Sequence, residues 1–471
     1  LNLPRAGQEW VNLFRILDRK DVMPAISPES ENARVLRLVS KAERDGVVEA
    51  LKAHAVAERF KGKPGEIVML PSGEVSALFG IGDGKSEFAL GAAALALPEG
   101  DWRIENLPDG WDAELAAVAW CMGAYRFTRY KPADREPAHL VLPAAADAET
   151  VCAIADAAEL TRNLVNTPAQ DMGPVGLEQA FRDLAGQFDA DVRVTEGEAL
   201  VTENYPMIHA VGRAAGEAPR LLELEWGNPD HPRLAVIGKG VCFDSGGLDL
   251  KAAQYMRLMK KDMGGGANAM GLAHMIMATD LPVRLHLLIP AVENAVSAGA
   301  FRPGDVLSSR KGLKVEIDNT DAEGRLVLGD ALTRACEDQP ELVIDFATLT
   351  GAARVALGPE VMPFYTDDDE VAAGLSKAGQ QVDDPLWRMP LWNGYDRYLD
   401  GEISDLVNSD GSGFAGSITA ALFLRNFVDT TKWVHFDIFA WNPKPRPGRP
   451  KGGEIQATRA VYQMLKDRFV D

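Results

Sequence analysis

The sequence predicts an α/β protein of two domains: a smaller N-terminal α/β domain, and a larger C-terminal domain with a mixed, mostly parallel sheet sandwiched by helices. Three observations carry this. The chain has 471 residues, 46% of them hydrophobic, which exceeds one ordinary core yet is apolar enough to fold throughout. Short runs rich in Val, Ile and Leu alternate with helical stretches. Between the two regions an Ala-rich segment reads as one long helix.

Taken in order, the opening "LNLPRAGQEW" lacks the basic-then-apolar layout of a secretory signal, and no run approaches ~18 uninterrupted apolar residues. A soluble, cytoplasmic protein without a membrane partner is expected. The chain opens on Leu1, which leaves room for further or processed sequence before it. In the first third, "GEIVML" and "HLVLP" read as strands, and "SENARVLRLVSKAERDGVVEALKAHAVAERF" reads as helical in whole or part. The segment "AAADAETVCAIADAAELTRNLVNTPAQDMGP" is the long helix. It stops before Thr167-Pro168 because a residue preceding proline is pushed out of helical geometry. The domain boundary is placed near Pro143, giving 1–143 and 144–471. Beyond it, "RVTEG", "RLLELEW", "RLAVIG", "VRLHLLIPA", "KVEID", "ELVIDFA" and "WVHFDIFAW" read as strands. Several are nearly continuous in Val, Ile and Leu, as strands covered on both faces require.

Composition removes some function classes. The four cysteines, Cys121, Cys152, Cys242 and Cys336, show no CxxC spacing, which favours reduced, packed thiols over disulfides or a zinc knuckle. A formal charge of −20 argues against general attraction to nucleic acid or anionic membranes.

In open α/β sheets the site lies beyond the carboxyl ends of the strands, so the residues after each strand matter. "KGVCFDSGGLDLK" follows "RLAVIG" and supplies Lys239, Asp244, Asp249 and Lys251. "NTDAEGR" follows "KVEID" and supplies Asp321, Glu323 and Arg325. Between them, "MRLMKKDMGGGANAM" supplies Asp262 before a triple glycine that opens a Met- and Ala-rich helix. "TLTGA" follows "ELVIDFA". Single Asp and Glu residues at strand ends commonly make caps, turns and salt bridges. Four of them, Asp244, Asp262, Asp321 and Glu323, brought to one sheet edge cannot all ionise at pH 7 unless cations neutralise them. Oxygen donors without His or Cys suit Mg, Mn or a carboxylate-accepting Zn, and four carboxylates suffice to bridge two ions.

The blocks "RNLVNTPAQ", "GKGVCFDSGGLDLK", "MKKDMGGGANAM", "NTDAEGRLVLGDAL", "DFATLTGA" and "GSITAALFL", in this order, resemble the leucyl aminopeptidase family, the hexameric two-metal cytosol aminopeptidases. The resemblance covers the chain from about Arg162 onward. It implies a metalloaminopeptidase that removes N-terminal residues, leucine-like apolar ones foremost, from peptides. Lys239, Asp244, Asp262 and Glu323 would ligate one metal, and Asp244, Asp321 and Glu323 the other, with Mn or Zn expected. A ligating Lys239 must be neutral, which two adjacent dications would enforce. Lys251 would polarise the scissile carbonyl and stabilise the oxygen that becomes charged. Arg325 would hold a bicarbonate that relays a proton to the leaving amine; without the family, Arg325 reads as a cap or a partner of Asp330. Met259, Asn319, Thr348 and Leu349 would line the substrate cleft by analogy, whereas Met270 and Met277 read as core. The substrate's free amine would bind one metal and Asp262, which accounts for removal of single residues. A homohexamer is implied.

The chain departs from the family pattern near its C-terminus, where "FDIFAWNPKPRPGRP" stands in place of small residues. Phe439 or Trp441, at the end of an expected strand, has a short path to the first-residue pocket; the alternative is packing in the core or under the proline-rich loop. Two rival readings are a DNA-binding accessory protein, for which only scattered basic pairs such as Arg126 with Arg129 speak, and a dinuclear phosphoesterase. The latter lacks ligand histidines and a GK[ST] phosphate loop, and "GGGANAM" alone is weak support for a phosphate site.

Overall fold

The structure is a computed structural model that describes residues 25–27, 30–51, 57–71, 73–430 and 432–470. The opening residues discussed above fall outside them. The N-terminal domain is a sheet of β1 (Ile26–Ser27), β2 (Arg34–Ser40), β3 (Ile67–Met69), β4 (Ala77–Gly82), β5 (Gly100–Ile104) and β6 (Ala138–Val141), ordered β1-β6-β5-β2-β4-β3. Only the β3–β4 pair is antiparallel. The expected strand "GEIVML" contains β3, and "HLVLP" overlaps β6.

The helical reading of the segment around residues 30–60 fails over Arg34–Ser40, which is a strand. Val35 and Val39 pack with Phe60, Val75 and Leu78 on one side, while Leu36 joins the main core on the other. That spacing also fits a helix. Pairing between β4 and β5 decides it, because a central strand buries both faces at once. A helix does follow at Arg44–Ala50, with no buried residue, and residues 52–56 lie outside the described ones.

The long helix runs Ala148–Asn166. Asp147 caps it by accepting from the Thr150 amide at 3.0 Å, and Thr167-Pro168 ends it. Buried Arg162 ties this helix to both domains: it donates to Met122 O at 2.7 Å, to Gly448 O at 2.8 Å and to Glu454 at 2.8 Å.

Fourteen further strands follow among the described residues: β7 (Asp191–Glu196), β8 (Arg220–Trp226), β9 (Arg233–Gly238), β10 (Gly240–Asp244), β11 (Arg284–Asn294), β12 (Val306–Ser308), β13 (Lys314–Glu316), β14 (Leu342–Ala347), β15 (Met362–Tyr365), β16 (Leu386–Arg388), β17 (Leu406–Val407), β18 (Trp433–Asp437), β19 (Trp441–Asn442) and β20 (Gly452–Gly453). Nine of them form one sheet ordered β16-β15-β18-β14-β9-β11-β8-β7, with β10 following β11. It is mixed and mostly parallel; β15–β18, β11–β8 and β8–β7 are the antiparallel pairs. Successive residues enter opposite cores: Leu234, Val236 and Ile344 join one, and Ala235, Ile237 and Val343 the other. That accounts for the unbroken apolar runs.

Two strand expectations need correction. "KVEID" is not in the large sheet; β13 pairs with β12 and β17 in a separate small one. "WVHFDIFAW" is not one strand. β18 stops at Asp437, Ala440 takes a left-handed φ of 54°, and Trp441–Asn442 pairs with Gly452–Gly453 instead. Gln456 Oε1 fixes the turn by accepting from the Phe439 and Ala440 amides at 3.1 and 2.6 Å.

The large sheet is interrupted where it matters. β9 pairs with β14 as far as Gly238, opposite Phe346, and the Lys239 amide donates to Phe346 O at 2.9 Å. The chain then leaves β14 and continues along β11 alone as β10. The helix Gly264–Ala278 presses its first turn onto this break, and the Gly266 amide donates to Lys239 O at 2.7 Å. The glycines serve close packing: a Cβ at Gly265 would lie 2.2 Å from Phe346 O. Met270 and Met277 are core, as expected. Among the described residues no helix is long and apolar enough to cross a membrane, and none of the four cysteines is in a disulfide.

Gly265→Ala is expected to lower unfolding free energy by ~1–3 kcal/mol, the cost of forcing atoms into packed space, as read by urea denaturation. An unchanged midpoint would mean that the helix does not seat on the sheet as described.

Candidate active site

Four chain segments meet at the carboxyl edge of the large sheet. The break between β9 and β10 gives Lys239; the end of β10 and its loop give Asp244 and Lys251. A 3-10 turn, Met259–Met263, gives Asp262, and the loop after β13 with the helix Glu323–Glu337 gives Asp321 and Glu323. One carboxylate oxygen from each of Asp244, Asp262 and Glu323 lies within 4.8 Å of the other two, and all three residues are buried.

Two lysines thread this cluster. Lys239 Nζ is 2.7 Å from Asp262 Oδ2 and 2.8 Å from Glu323 Oε1, and it donates to Thr348 O at 3.2 Å. The two carboxylate contacts are Coulombic rather than hydrogen-bonded in geometry, so Asp262 Oδ2 and both Glu323 oxygens are buried without a hydrogen-bond partner. Lys251 Nζ is 2.8 Å from Asp244 Oδ2 and also bonds Asp321. Gly324 makes this possible, since a Cβ there would lie 2.7 Å from Lys239 Nζ.

The electrostatics follow. Burial, then Asp244, push the Glu323 carboxyl up to about 8; burial, then Asp244, raise Asp321 to about 6. Burial opposes ionisation of Asp262, but Lys239 and Lys261 overcome it and hold that carboxyl down at about 2. Burial lowers the Lys239 and Lys251 ammoniums, yet the surrounding carboxylates win and hold both above the ordinary lysine range. The cluster is therefore a proton-sharing group whose carboxylates are held together by the two ammoniums.

Such a group fits divalent metal. The donors are hard carboxylate oxygens, several are orphaned and buried, and they sit close enough to be shared. Asp321 lies farther out, half-buried, bonded to Lys251.

Lys239, Asp244, Lys251, Asp262 and Asp321 line one cavity of about 920 Å³, together with Met259, Asn319, Thr348, Leu349, Arg325 and Phe439. Trp441 does not line it; its ring lies over Lys260 Nζ at 5.7 Å. Arg325 is buried and donates to Asn408 O at 2.5 Å, while its Nε has no partner. The pairing with Asp330 does not occur: Asp330 accepts from the Met207, Ile208 and Arg310 amides.

Sequence reasoning missed the residues that hold the ones it found. Asn294, at the end of β11, donates to Asp244 Oδ1 at 2.8 Å and to Thr320 O at 3.1 Å. Asn408 accepts from the Asp318 and Asn319 amides at 2.9 and 3.2 Å. Asp437 accepts from the Leu349 and Thr350 amides, both at 3.0 Å. Asn294 and Asp437 end their strands, so the carboxyl-edge rule applied to every strand finds both; Asn408 carries no such signal.

Comparison with known proteins identifies the family. A family model described as "Cytosol aminopeptidase family, catalytic domain" matches residues 159–462, and one described as "M17 aminopeptidase, N-terminal domain" matches 35–143. A probable cytosol aminopeptidase of Syntrophotalea carbinolica is 39% identical over 392 residues, covering 79% of this chain and 78% of that protein. The crystal structure of a cytosol aminopeptidase from Coxiella burnetii superposes with a TM-score of 0.89 at 44% identity, covering 94% of this chain and 98% of the other. The bottromycin maturation enzyme BotP in complex with Mn superposes at 0.83 and 32% identity, covering 92% and 99%.

Removing the Asn294 side chain isolates one holding contact. Asn294→Ala is expected to cost ~1–3 kcal/mol of stability and to weaken divalent-metal affinity ~10-fold or more, measured by denaturation and by calorimetric titration. Unchanged affinity would remove Asn294 from the support of Asp244.

Proposed function

The chain belongs to the cytosol aminopeptidase family and is a metal-dependent aminopeptidase; on that premise we propose that it releases single N-terminal residues, leucine-like apolar ones foremost, through a two-metal centre. Lys239, Asp244, Asp262 and Glu323 would hold one ion, and Asp244, Asp321 and Glu323 the other. The observation that carries this is the buried trio Asp244, Asp262 and Glu323, in which Asp262 Oδ2 and both Glu323 oxygens lack a hydrogen-bond partner and Asp244 and Asp262 line the cavity. Manganese or zinc suits the donor set, and the likeness to BotP in complex with Mn supports the former. When bound, the ions supply positive charge that lowers the pKa of water and polarises a carbonyl.

The chain's own residues do the rest. Asp262 accepts a hydrogen bond from the substrate's free amine, which would fix the first peptide bond over the cluster and account for removal of one residue at a time. With the carboxylates taken up by cations, Lys239 loses the contacts that hold its proton and becomes a neutral donor of a lone pair. Lys251, freed from Asp244 and Asp321 by the same exchange, keeps its charge and donates to the carbonyl oxygen as negative charge grows there. The unpartnered Nε of buried Arg325 suits a planar anion such as bicarbonate. Met259, Asn319, Thr348 and Leu349 form the cleft walls, and half-buried Phe439 narrows it.

The same reading extends to a cytoplasmic homohexamer acting on peptides, with neither membrane nor nucleic acid as partner. The exposed apolar side chains Val355, Trp387, Trp392, Ile403 and Phe414 support burial against other subunits, and the net charge of −20 disfavours nucleic acid.

Chelation is expected to abolish release of N-terminal residues, and Mn, Co or Zn to restore it; full activity in a demonstrably metal-free preparation would end this reading. Asp321→Asn and Glu323→Gln should lose metal as well as rate. Lys251→Ala should keep its metal and lose ~10²-fold or more in turnover, so lowered metal content with an intact metal-loaded rate would refute its role. Phe439→Ala should improve kcat/KM for bulkier first residues relative to alanine by roughly tenfold, and an unchanged preference profile would remove Phe439 from the pocket.

A further inference from the structure

The cavity holds more positive charge than its carboxylates engage. Lys239 contacts Asp262 and Glu323, and Lys251 contacts Asp244 and Asp321. Lys261 and Arg354 also line the cavity and are poorly matched. Lys261 is 1% exposed, and its ammonium carries three donors. It makes one long contact, 3.4 Å to Asp262 Oδ1, an oxygen that already accepts from Thr348 Oγ1 at 2.9 Å. Arg354, half-buried on the helix Gly351–Leu357, donates to Thr350 O at 3.1 Å and makes no ion pair among the described residues.

Both cations meet the same ring. Lys261 Nζ lies 5.6 Å and Arg354 Cζ 4.8 Å from the centroid of Phe439. A ring face steadies a cation weakly compared with a carboxylate. Two positive groups beside one aromatic, one of them buried, form a place that attracts an anion and repels a third cation.

We propose that Lys261 and Arg354 make the first-residue pocket a carboxylate-accepting one: besides apolar side chains it takes acidic first residues, glutamate foremost. This rests on the aminopeptidase reading above. Lys261 adjoins Asp262, the carboxylate assigned to the substrate's amine, so an anion bound there belongs to the first residue. The methylenes of glutamate run along the same apolar wall, Met259, Leu349 and Phe439, that a leucine side chain covers. Its carboxylate then meets the ammonium and the guanidinium.

The test uses the full-length, metal-loaded enzyme and dipeptide amides Xaa-Gly-NH2 with Xaa as Glu, Gln, Leu or Lys; the amide removes the terminal carboxylate. Glu is expected to exceed Gln by roughly tenfold in kcat/KM and Lys by more. The Glu-to-Gln ratio should fall toward one in Lys261→Met and in Arg354→Gln, and Lys should overtake Glu in Arg354→Glu. Free glutamate should also raise Tm more than free glutamine in the parent enzyme, and this difference should vanish in Arg354→Gln, a readout independent of turnover. Should Lys261→Met not fold, the Arg354 variants, changed on a surface helix, decide alone. A parent ratio of one or less, or a ratio unmoved by every folded variant, overturns the proposal. So does an advantage confined to Leu-Gly over Leu-Gly-NH2, which would assign the cations to the peptide's far end. No release from any peptide, leucine included, would instead overturn the aminopeptidase reading and this proposal with it.

Discussion

Crowded negative charge is the constraint around which the catalytic domain is arranged. Three carboxylates within 4.8 Å of one another, largely cut off from water, repel each other strongly enough that one must take a proton or all must share cations. Every nearby feature answers this. Lys239 stands at the break in the sheet, where its amide still completes the ladder to Phe346 while its ammonium meets Asp262 and Glu323. Gly324 clears its path. Asn294 engages the side of Asp244 that faces away from Lys251.

The rest of the fold keeps those pieces in register. The helix beginning at Gly264 follows Asp262 directly, so seating its first turn on the sheet also sets the position of that carboxylate. Two cores, one on each face of the sheet, immobilise the strands from which the loops spring. Arg162 binds the connecting helix to the neighbouring domain and to the segment around Gly448 and Glu454. Positional precision at the cluster thus derives from rigid elements, while the residues that do chemistry sit on short loops between them.

Most of the centre was legible in the sequence because its chemistry is local. Lys239, Asp244, Lys251, Asp321 and Glu323 stand on or shortly after strand-like apolar runs, where the rule that sites form at strand ends looks, whereas Asp262 is marked by the triple glycine that follows it. The family resemblance added the separate tasks of Lys239 and Lys251, which charge and spacing alone leave as ordinary salt-bridge lysines. What stayed hidden depends on long-range pairing. Arg34–Ser40 has an apolar spacing compatible with a helix and becomes a strand because β4 and β5 flank it. The small sheet containing β13 owes its separateness to β12 and β17, whose three and two residues leave almost no pattern to read. The turn at Ala440 was equally hidden: nothing in "FDIFAW" marks a left-handed residue, and the device that holds it, Gln456, lies sixteen positions away.

That turn has a further consequence. Phe439 is gripped by its backbone from behind, through Gln456, and only its side chain faces the cavity. Its neighbours in the cavity wall, Lys261 and Arg354, likewise stand outside the set of residues assigned to metal or to the reacting carbonyl. Gene duplicates could therefore exchange Phe439 and Arg354 and drift to new diets of peptides while inheriting the hydrolytic machinery intact, whereas Lys261 also steadies Asp262. Selectivity and catalysis are separable traits in this fold, and natural selection can act on one without disturbing the other.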